Sequence, residues 1–356
     1  MLRGSATPAG TAAYRTGHVP SARHGQFREW RGLALSSVGI GTYLGPDDDE
    51  TDAQYMTAVE RALLSGINVI DSAVNYRHQR SERAVGRALG RVIADGRIAR
   101  EGVVVATKGG FLPFEGPPPP GLWGPGDLVA GSHCMTPRYL EDQIERSRAN
   151  LDLETIDIYY LHNPETQLGE VPRPAFMQRL RAAFELLERA AGDGRIGCYG
   201  TATWGGYRQP ASARDFLSLP DLVALAVEIA GRNHHFRVVQ LPYNLAMTEA
   251  FTLPNQPDGR EPVTLLECAR RLGLYVMTSA SIYQGQLVRN LPPVLAQVMP
   301  GLDTDAQRAL QFVRSTPGVG TALVGMRSEA HVGEAAGLVK IAPVRWAAFQ
   351  KLFAPA

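Results

Sequence analysis

Val103-Val104-Val105-Ala106-Thr107-Lys108 and Ile156-Asp157-Ile158-Tyr159-Tyr160-Leu161-His162 are short, largely apolar runs, each ending in an ionisable residue. A strand with one solvated face alternates apolar and polar residues. A near-continuous apolar run marks a parallel strand covered on both faces. Working outward from these two, comparable runs occur at Leu33 to Tyr43, Asn68 to Asp71, Ile196 to Thr201, Arg237 to Leu241, Leu274 to Ser279 and Gly320 to Val324. Helical patterns fall between them, at Ala53 to Ser65, Ser81 to Ala94, Pro137 to Asn150, Pro174 to Ala191, Leu222 to Ala230, Val263 to Leu272 and Asp303 to Arg314. Ser328 to Lys340 and Val344 to Leu352 close the chain as helices. Gly66 reads as a glycine just past a helix end, Ser81 as an N-cap and Pro137 as a first-turn proline.

Eight strands alternating with helices fit either a (β/α)8 barrel or a doubly wound sheet. The first strand is not followed by G-x-G-x-x-G, and no linker divides the chain. The expected fold class is therefore α/β, a (β/α)8 TIM barrel in a single domain over 29–356, with a long Gly/Pro-rich loop at 109–136. Residues 1–28 carry no acidic residue and no apolar core segment, and they are expected to be a disordered leader rather than a secretory signal.

The totals exclude several classes. The 356 residues are 44% hydrophobic, enough for a large core, and 36 basic against 35 acidic residues leave a net charge of +1. That balance offers no electrostatic basis for nucleic-acid or anionic-membrane partners. No apolar run approaches the ~18 residues of a membrane helix. Three scattered cysteines, Cys134, Cys198 and Cys268, argue against a disulfide framework and suit the reducing cytoplasm. His133-Cys134 and His234-His235 have no second half at zinc-like spacing, so no metal is expected. Neither a G-x-S-x-G elbow nor a P-loop is present.

In a barrel of this class, chemistry sits at the C-terminal ends of the strands. Asp71, Lys108 and His162 end strands two, three and four, and Tyr76 follows Asp71 by five residues. A lysine ammonium beside a phenol lowers its pKa, and a buried aspartate keeps that lysine charged. A histidine on the next strand can hydrogen-bond to a substrate oxygen. Such a group can protonate an oxygen that gains negative charge, as in carbonyl reduction by hydride. Packing accounts for any one of these residues; it does not account for all four at successive strand ends.

With these residues in place, the chain resembles the aldo-keto reductases from about Leu33 to Lys340. Asp71, Tyr76, Lys108 and His162 match the family's tetrad in order and context. The resemblance implies NADPH lying across the barrel mouth without a Rossmann motif, with Tyr76 as general acid, tuned by Lys108 and Asp71, and His162 orienting the carbonyl. It also implies that Gln240, in Gln240-Leu241-Pro242-Tyr243-Asn244, contacts the nicotinamide amide. Where the family has Ser-Asn after strand five, this chain has Ala202-Thr203. Where it has an aromatic followed by Ser-Pro-Leu-x-x-Gly, the chain reads Ser279-Ala280-Ser281-Ile282-Tyr283-Gln284-Gly285. Ser279, Ile282 and Gly285 are the corresponding cofactor contacts, with Gly325, Arg327, His331 and Glu334 at the adenosine end. Arg327 is suited to a 2′-phosphate, and Ala335 replaces the family's asparagine.

Tyr43, Phe111, Trp123 and Trp204 are the expected substrate-pocket aromatics. The loop at 109–136 is long enough to be a lid or pocket wall, and its size suggests a substrate bulkier than a simple aldehyde. His78, two residues past Tyr76, reads as a surface residue, and Cys198 as core. The first functional reading is a reductase acting on a small-molecule carbonyl, or on the alcohol in reverse. A redox-neutral lyase or isomerase using the same tetrad, or a cofactor-sensing regulatory subunit, remains open beside it.

Overall fold

The computed structural model describes residues 1–19, 21, 24–259 and 261–353. Eight parallel strands close into a barrel: β1 Val38–Gly41, β2 Val69–Asp71, β3 Val104–Gly109, β4 Ile156–His162, β5 Ile196–Ala202, β6 Phe236–Pro242, β7 Tyr275–Ser279 and β8 Thr321–Gly325. Each strand pairs with its neighbours in sequence, and β8 closes on β1 through Val324↔Ile40. The outer core lies between strands and helices. A second cluster fills the barrel with Val69, Val104, Ala106, Ile158, Tyr160, Cys198, Val238, Tyr275, Met277 and Leu323.

Side chains alternate along a strand, so residues two apart share a face. Counting up from these interior residues, Asp71, Lys108, His162, Gln240 and Ser279 fall on the same inward parity one layer higher, and Ala202 does so beyond Gly200, beside His162. That single rule carries the tetrad's strand residues, Gln240 and Ser279 to one mouth of one barrel, with Thr203 just past the end of β5. Close strand packing needs small residues in two places. A Cβ at Gly200 would collide with the Val238 carbonyl, and one at Gly109 with the Tyr159 hydroxyl.

The first strand departs from its expected span. Leu33 to Tyr43 is divided, and only Val38–Gly41 belongs to the barrel. Leu33–Ser36 instead pairs antiparallel with Phe27–Trp30, a hairpin that plugs the opposite mouth and lays Trp30 against Tyr275 at 5.2 Å. Asn68 staples it: its Nδ2 donates to the Ala34 and Gly102 carbonyls, and its Oδ1 accepts from the Ser36 N–H at 2.8 Å. Fully buried alternatives at a barrel end leave backbone groups unpaired, and the hairpin satisfies them.

The expected disordered leader is likewise corrected. Pro8–His18 is a helix, capped by Thr7 Oγ1 accepting from the Gly10 N–H at 3.0 Å, with a first-turn proline. Its Tyr14 is buried and donates to the Leu63 carbonyl at 2.5 Å. Asp157, the one acid inside the β4 run, accepts from the Ala6 N–H at 2.6 Å and from Arg100 at 2.7 Å. Composition concealed a Thr-Pro helix start and a tyrosine anchor.

Gly66 follows Asp49–Leu64 with φ 91, and Pro137 opens Pro137–Leu151, both as read. Ser81 is not an N-cap. Arg80–Ala94 starts after Gln79, and the Ser81 hydroxyl donates to the Thr42 carbonyl at 2.7 Å. No helix among the described residues is long and apolar enough to cross a membrane.

Candidate active site

Lys108 is the centre of the site. Its Nζ lies 2.6 Å from Asp71 Oδ2 and 2.7 Å from the Ser72 carbonyl, and it donates to Tyr76 Oη at 3.4 Å. The ammonium also sits 4.9 Å from the centroid of the Tyr76 ring. The other Asp71 oxygen accepts from Gln240 Nε2 at 2.8 Å. His162 stands edge-on to Tyr76 at 6.0 Å and to Phe111 at 5.0 Å. Its Nδ1 is buried with no protein partner.

Tyr76 is on a turn, and the turn is held rigidly. Arg77, His78 and Gln79 have φ of 49°, 48° and 72°, a left-handed run that side chains with Cβ adopt only under constraint. Buried Arg77 supplies the constraint: it donates to the Pro46 and Asp48 carbonyls and pairs with Asp52 at 2.7 Å. His78 faces away and meets Asp47 at 3.0 Å, in keeping with a surface role.

Burial pushes the Tyr76 hydroxyl above its usual range; the Lys108 charge pulls the other way, and Asp71 adds to the rise. The lysine therefore moderates a raised value instead of producing a lowered one, so Tyr76 keeps its proton. Burial alone would discharge Lys108, but attraction to Asp71 and Tyr76 outweighs it and raises the lysine pKa. Burial, with Lys108 and His133 adding to it, holds His162 well below its ordinary value, as a neutral imidazole. The arrangement is a protonated phenol beside a fixed cation and a neutral hydrogen-bonding histidine, which suits delivery of one proton to an oxygen.

These groups open onto a cavity of about 760 Å³ that runs from Tyr43, Asn75, Tyr76, Phe111 and His162 past Thr203, Gln240 and Ser279 to Gly325 and Glu334. The model of the Aldo/keto reductase family matches residues 37–291, which span β1 through β7 and all four tetrad positions. The chain belongs to the aldo/keto reductase family. A 6-dehydroglucose reductase of Novosphingobium aromaticivorans is 26% identical over 326 residues, 88% of this chain and 89% of that protein. An aldo/keto reductase of Klebsiella pneumoniae, solved with NADP and acetate, superposes with a TM-score of 0.63 at 21% identity, over 93% of this chain and 96% of that one. The glycerol dehydrogenase of Gluconobacter oxydans gives 0.63 at 20%, over 93% and 94%. These two likenesses concern the fold.

In this member of the family, Thr203, Gln240, Ser279, Ile282, Gly285, Gly325, His331 and Glu334 all line the cavity, as do Tyr43, Phe111 and Trp204. Three expected site residues do not: Lys108, which stands behind Asp71 and Tyr76, and also Trp123 and Arg327. Trp123 packs edge-on against Tyr139 at 5.6 Å, because its loop folds back over the helix Pro137–Leu151. Arg327 lies exposed beyond the lining residues, beside Gly45 in the loop after β1, where a Cβ on that glycine would come within 3.1 Å of its guanidinium. Gln240, expected on the cofactor alone, also shares Asp71 with Lys108.

Four residues of this region carried no role in the sequence. Asn75 and Asn163 line the cavity, and Asn163 is left-handed with φ 44. Glu165, buried, accepts from the N–H groups of Trp204, Gly205 and Gly206 at 2.7, 3.1 and 3.2 Å, pinning the loop that presents Trp204. His133 touches His162 from behind. Only the Gly205-Gly206 pair hinted at Glu165, since close backbone turns attract an acceptor.

Proposed function

We propose that this protein is an NADPH-dependent carbonyl reductase, working on a small-molecule aldehyde or ketone or on the alcohol in reverse. The observation that carries the reading is Lys108 Nζ, bonded at once to Asp71 and to Tyr76 Oη, both of which line one continuous cavity.

The residues present suit the cofactor. Thr203 Oγ1 is buried without a protein partner and fits a carboxamide, as does the side chain of Gln240. Ser279, Ile282 and Gly285 follow along the cavity, and Gly325, His331 and Glu334 line its far end. Arg327, exposed beside Gly45 and without an ion pair among the described residues, is our candidate for a 2′-phosphate contact. When bound, NADPH supplies the hydride. Tyr76 gives its proton to the carbonyl oxygen, and Lys108, kept charged by Asp71, stabilises the phenolate left behind. His162, neutral, donates a hydrogen bond to the same oxygen and fixes its direction. Tyr43, Phe111 and Trp204 form an aromatic wall for the substrate. The name of the Novosphingobium relative makes sugar-derived carbonyls the first class to screen.

Fluorescence titration with NADPH and NADH, followed by a carbonyl panel read at the nicotinamide absorbance, tests this. Saturable NADPH binding and turnover that Tyr76→Phe abolishes are expected. Absence of binding to either nucleotide would sink the reading. A redox-neutral proton transfer by the same tetrad is the second reading, favoured by Ser279 in place of the family's ring. It predicts substrate conversion with no change in nicotinamide absorbance.

A further inference from the structure

His133 lies in the long loop after β3, yet it is completely buried. Both ring nitrogens are engaged. Nε2 is 2.8 Å from the His162 carbonyl, which only accepts, so this nitrogen carries the proton. Nδ1 is 2.8 Å from Gln167 Nε2, which only donates, so this nitrogen is the acceptor. The tautomer is fixed by its two partners. Gln167 also donates to the His133 carbonyl at 3.2 Å, while its Oε1 accepts from Arg179 at 2.5 Å. Arg179 in turn donates to the Gly126 carbonyl at 2.7 Å, which ties down the far part of the same loop.

The contact falls where the sheet runs out. The last pair between β3 and β4 is Gly109↔Leu161, so the His162 carbonyl lies beyond the ladder. Asn163 then turns left-handed, and its N–H goes to the Ala202 carbonyl at 2.6 Å. The His133 ring supplies a donor at the point where β3 no longer does. Gly110 makes room for it: with φ 142, a Cβ there would stand 2.9 Å from the His162 oxygen and 3.0 Å from His133 Nε2. Phe111 completes the packing, edge-on to His133 at 4.9 Å and to His162 at 5.0 Å.

On the reading of Tyr76 as proton donor and His162 as the residue that orients the oxygen, we propose that His133 is a positioning residue of the reaction. Its ring N–H holds the His162 peptide, and through it the direction of the imidazole. The loop is thereby a fixed part of the site rather than a lid over it.

The test compares His133→Gln, which retains a side-chain N–H, with His133→Leu, which fills the space without one. Tyr76→Phe serves as control. Kinetics use para-nitrobenzaldehyde with NADPH, and with NADPH deuterated at the transferred position; NADPH affinity is measured separately by fluorescence. His133→Leu is expected to lower kcat on the order of tenfold while the NADPH Kd stays within about twofold. Its deuterium isotope effect on kcat rises, because chemistry becomes the slower step, and His133→Gln recovers most of the rate. A native kcat in His133→Leu overturns the proposal. So does equal loss in both variants, or a loss confined to cofactor affinity. Should His133→Leu not fold, Gln167→Leu removes the partner of Nδ1 instead; it is expected to lower kcat, and a native kcat there is equally fatal. Turnover lost in Tyr76→Phe but kept in His133→Leu leaves the reductase reading standing and removes only His133. Absence of any turnover that depends on Tyr76 removes both.

Discussion

Around the barrel mouth, the strand ends from β2 to β4 differ from those from β5 to β8 in how far their polar groups are already paired. On the first side, Lys108 is bonded to both Asp71 and Tyr76, and His133 holds the His162 carbonyl from behind, so that His162 Nδ1 is the one buried polar side-chain atom of these residues left for a ligand. On the second side, Thr203 Oγ1 has no protein partner, Ser279 offers only a small hydroxyl, and Arg327 stands outside the lining. Gln240 bridges the two halves through Asp71. The contrast separates two physical tasks. A group that must hold a particular protonation state needs its field built into the protein, because reorganisation during reaction is costly. A surface that receives a ligand keeps hydrogen-bonding capacity free until the ligand fills it. Substitutions on the paired side should therefore act on rate or stability, and those on the open side on affinity.

The largest effect is expected from Tyr76→Phe, which removes the proposed proton donor and leaves the field around it. Its kcat should fall on the order of a thousandfold, with NADPH affinity retained, in single-turnover kinetics. Loss of affinity instead would erase the distinction between the halves. Next, Lys108→Met strands the buried Asp71 charge, a loss of about 3–5 kcal/mol by urea unfolding. A stability near native would mean that Gln240 and Ser72 suffice to hold the corner.

The histidine pair gives a pH signature on the same side. Burial lowers His133 from 6.5 to about 4, and the buried His162 is shifted the same way. Below about pH 6.5 the unfolded chain takes up protons that the folded chain refuses, so stability is complete above that pH and falls as pH drops. For His133 the loss reaches roughly 3 kcal/mol by pH 4. Urea midpoints between pH 7.5 and 4.5 should fall more steeply for the native chain than for His133→Gln, and identical slopes would refute the assignment.

Smaller effects belong to the open side. Arg327→Ala should weaken NADPH roughly tenfold, through loss of a charge-assisted contact, and leave NADH nearly unchanged. Equal weakening of both would remove the phosphate role. Ser279→Tyr, which restores a ring at the end of β7, should tighten NADPH by only a few-fold. No tightening would indicate that Trp204 or another ring already serves as the platform.

Much of the acid–base side was legible because strands announce themselves. Buried parallel strands are apolar throughout, so Asp71, Lys108 and His162 stand out as polar stops at their ends. Tyr76 was legible from its spacing after Asp71. His133, Asn75, Asn163 and Glu165 were not, because their partners are set by loop conformation, and no periodicity governs a loop. Trp123 shows the reverse error: an aromatic in the right loop, turned by the fold toward Tyr139. The N-terminal residues show a third, since a bland composition hid Thr7, Pro8 and Tyr14, each of which acts through one specific contact.

By itself, then, the order of residues determined the barrel and the family and singled out Asp71, Tyr76, Lys108 and His162 as the candidate tetrad, because each depends on local pattern and on the alternation of side chains along a strand. Tertiary structure alone decided the state of the groups. Tyr76 is raised rather than lowered, Gln240 serves Asp71, and a histidine from a distant loop holds His162, because burial and hydrogen-bond partners are properties of the closed barrel and of no segment within it.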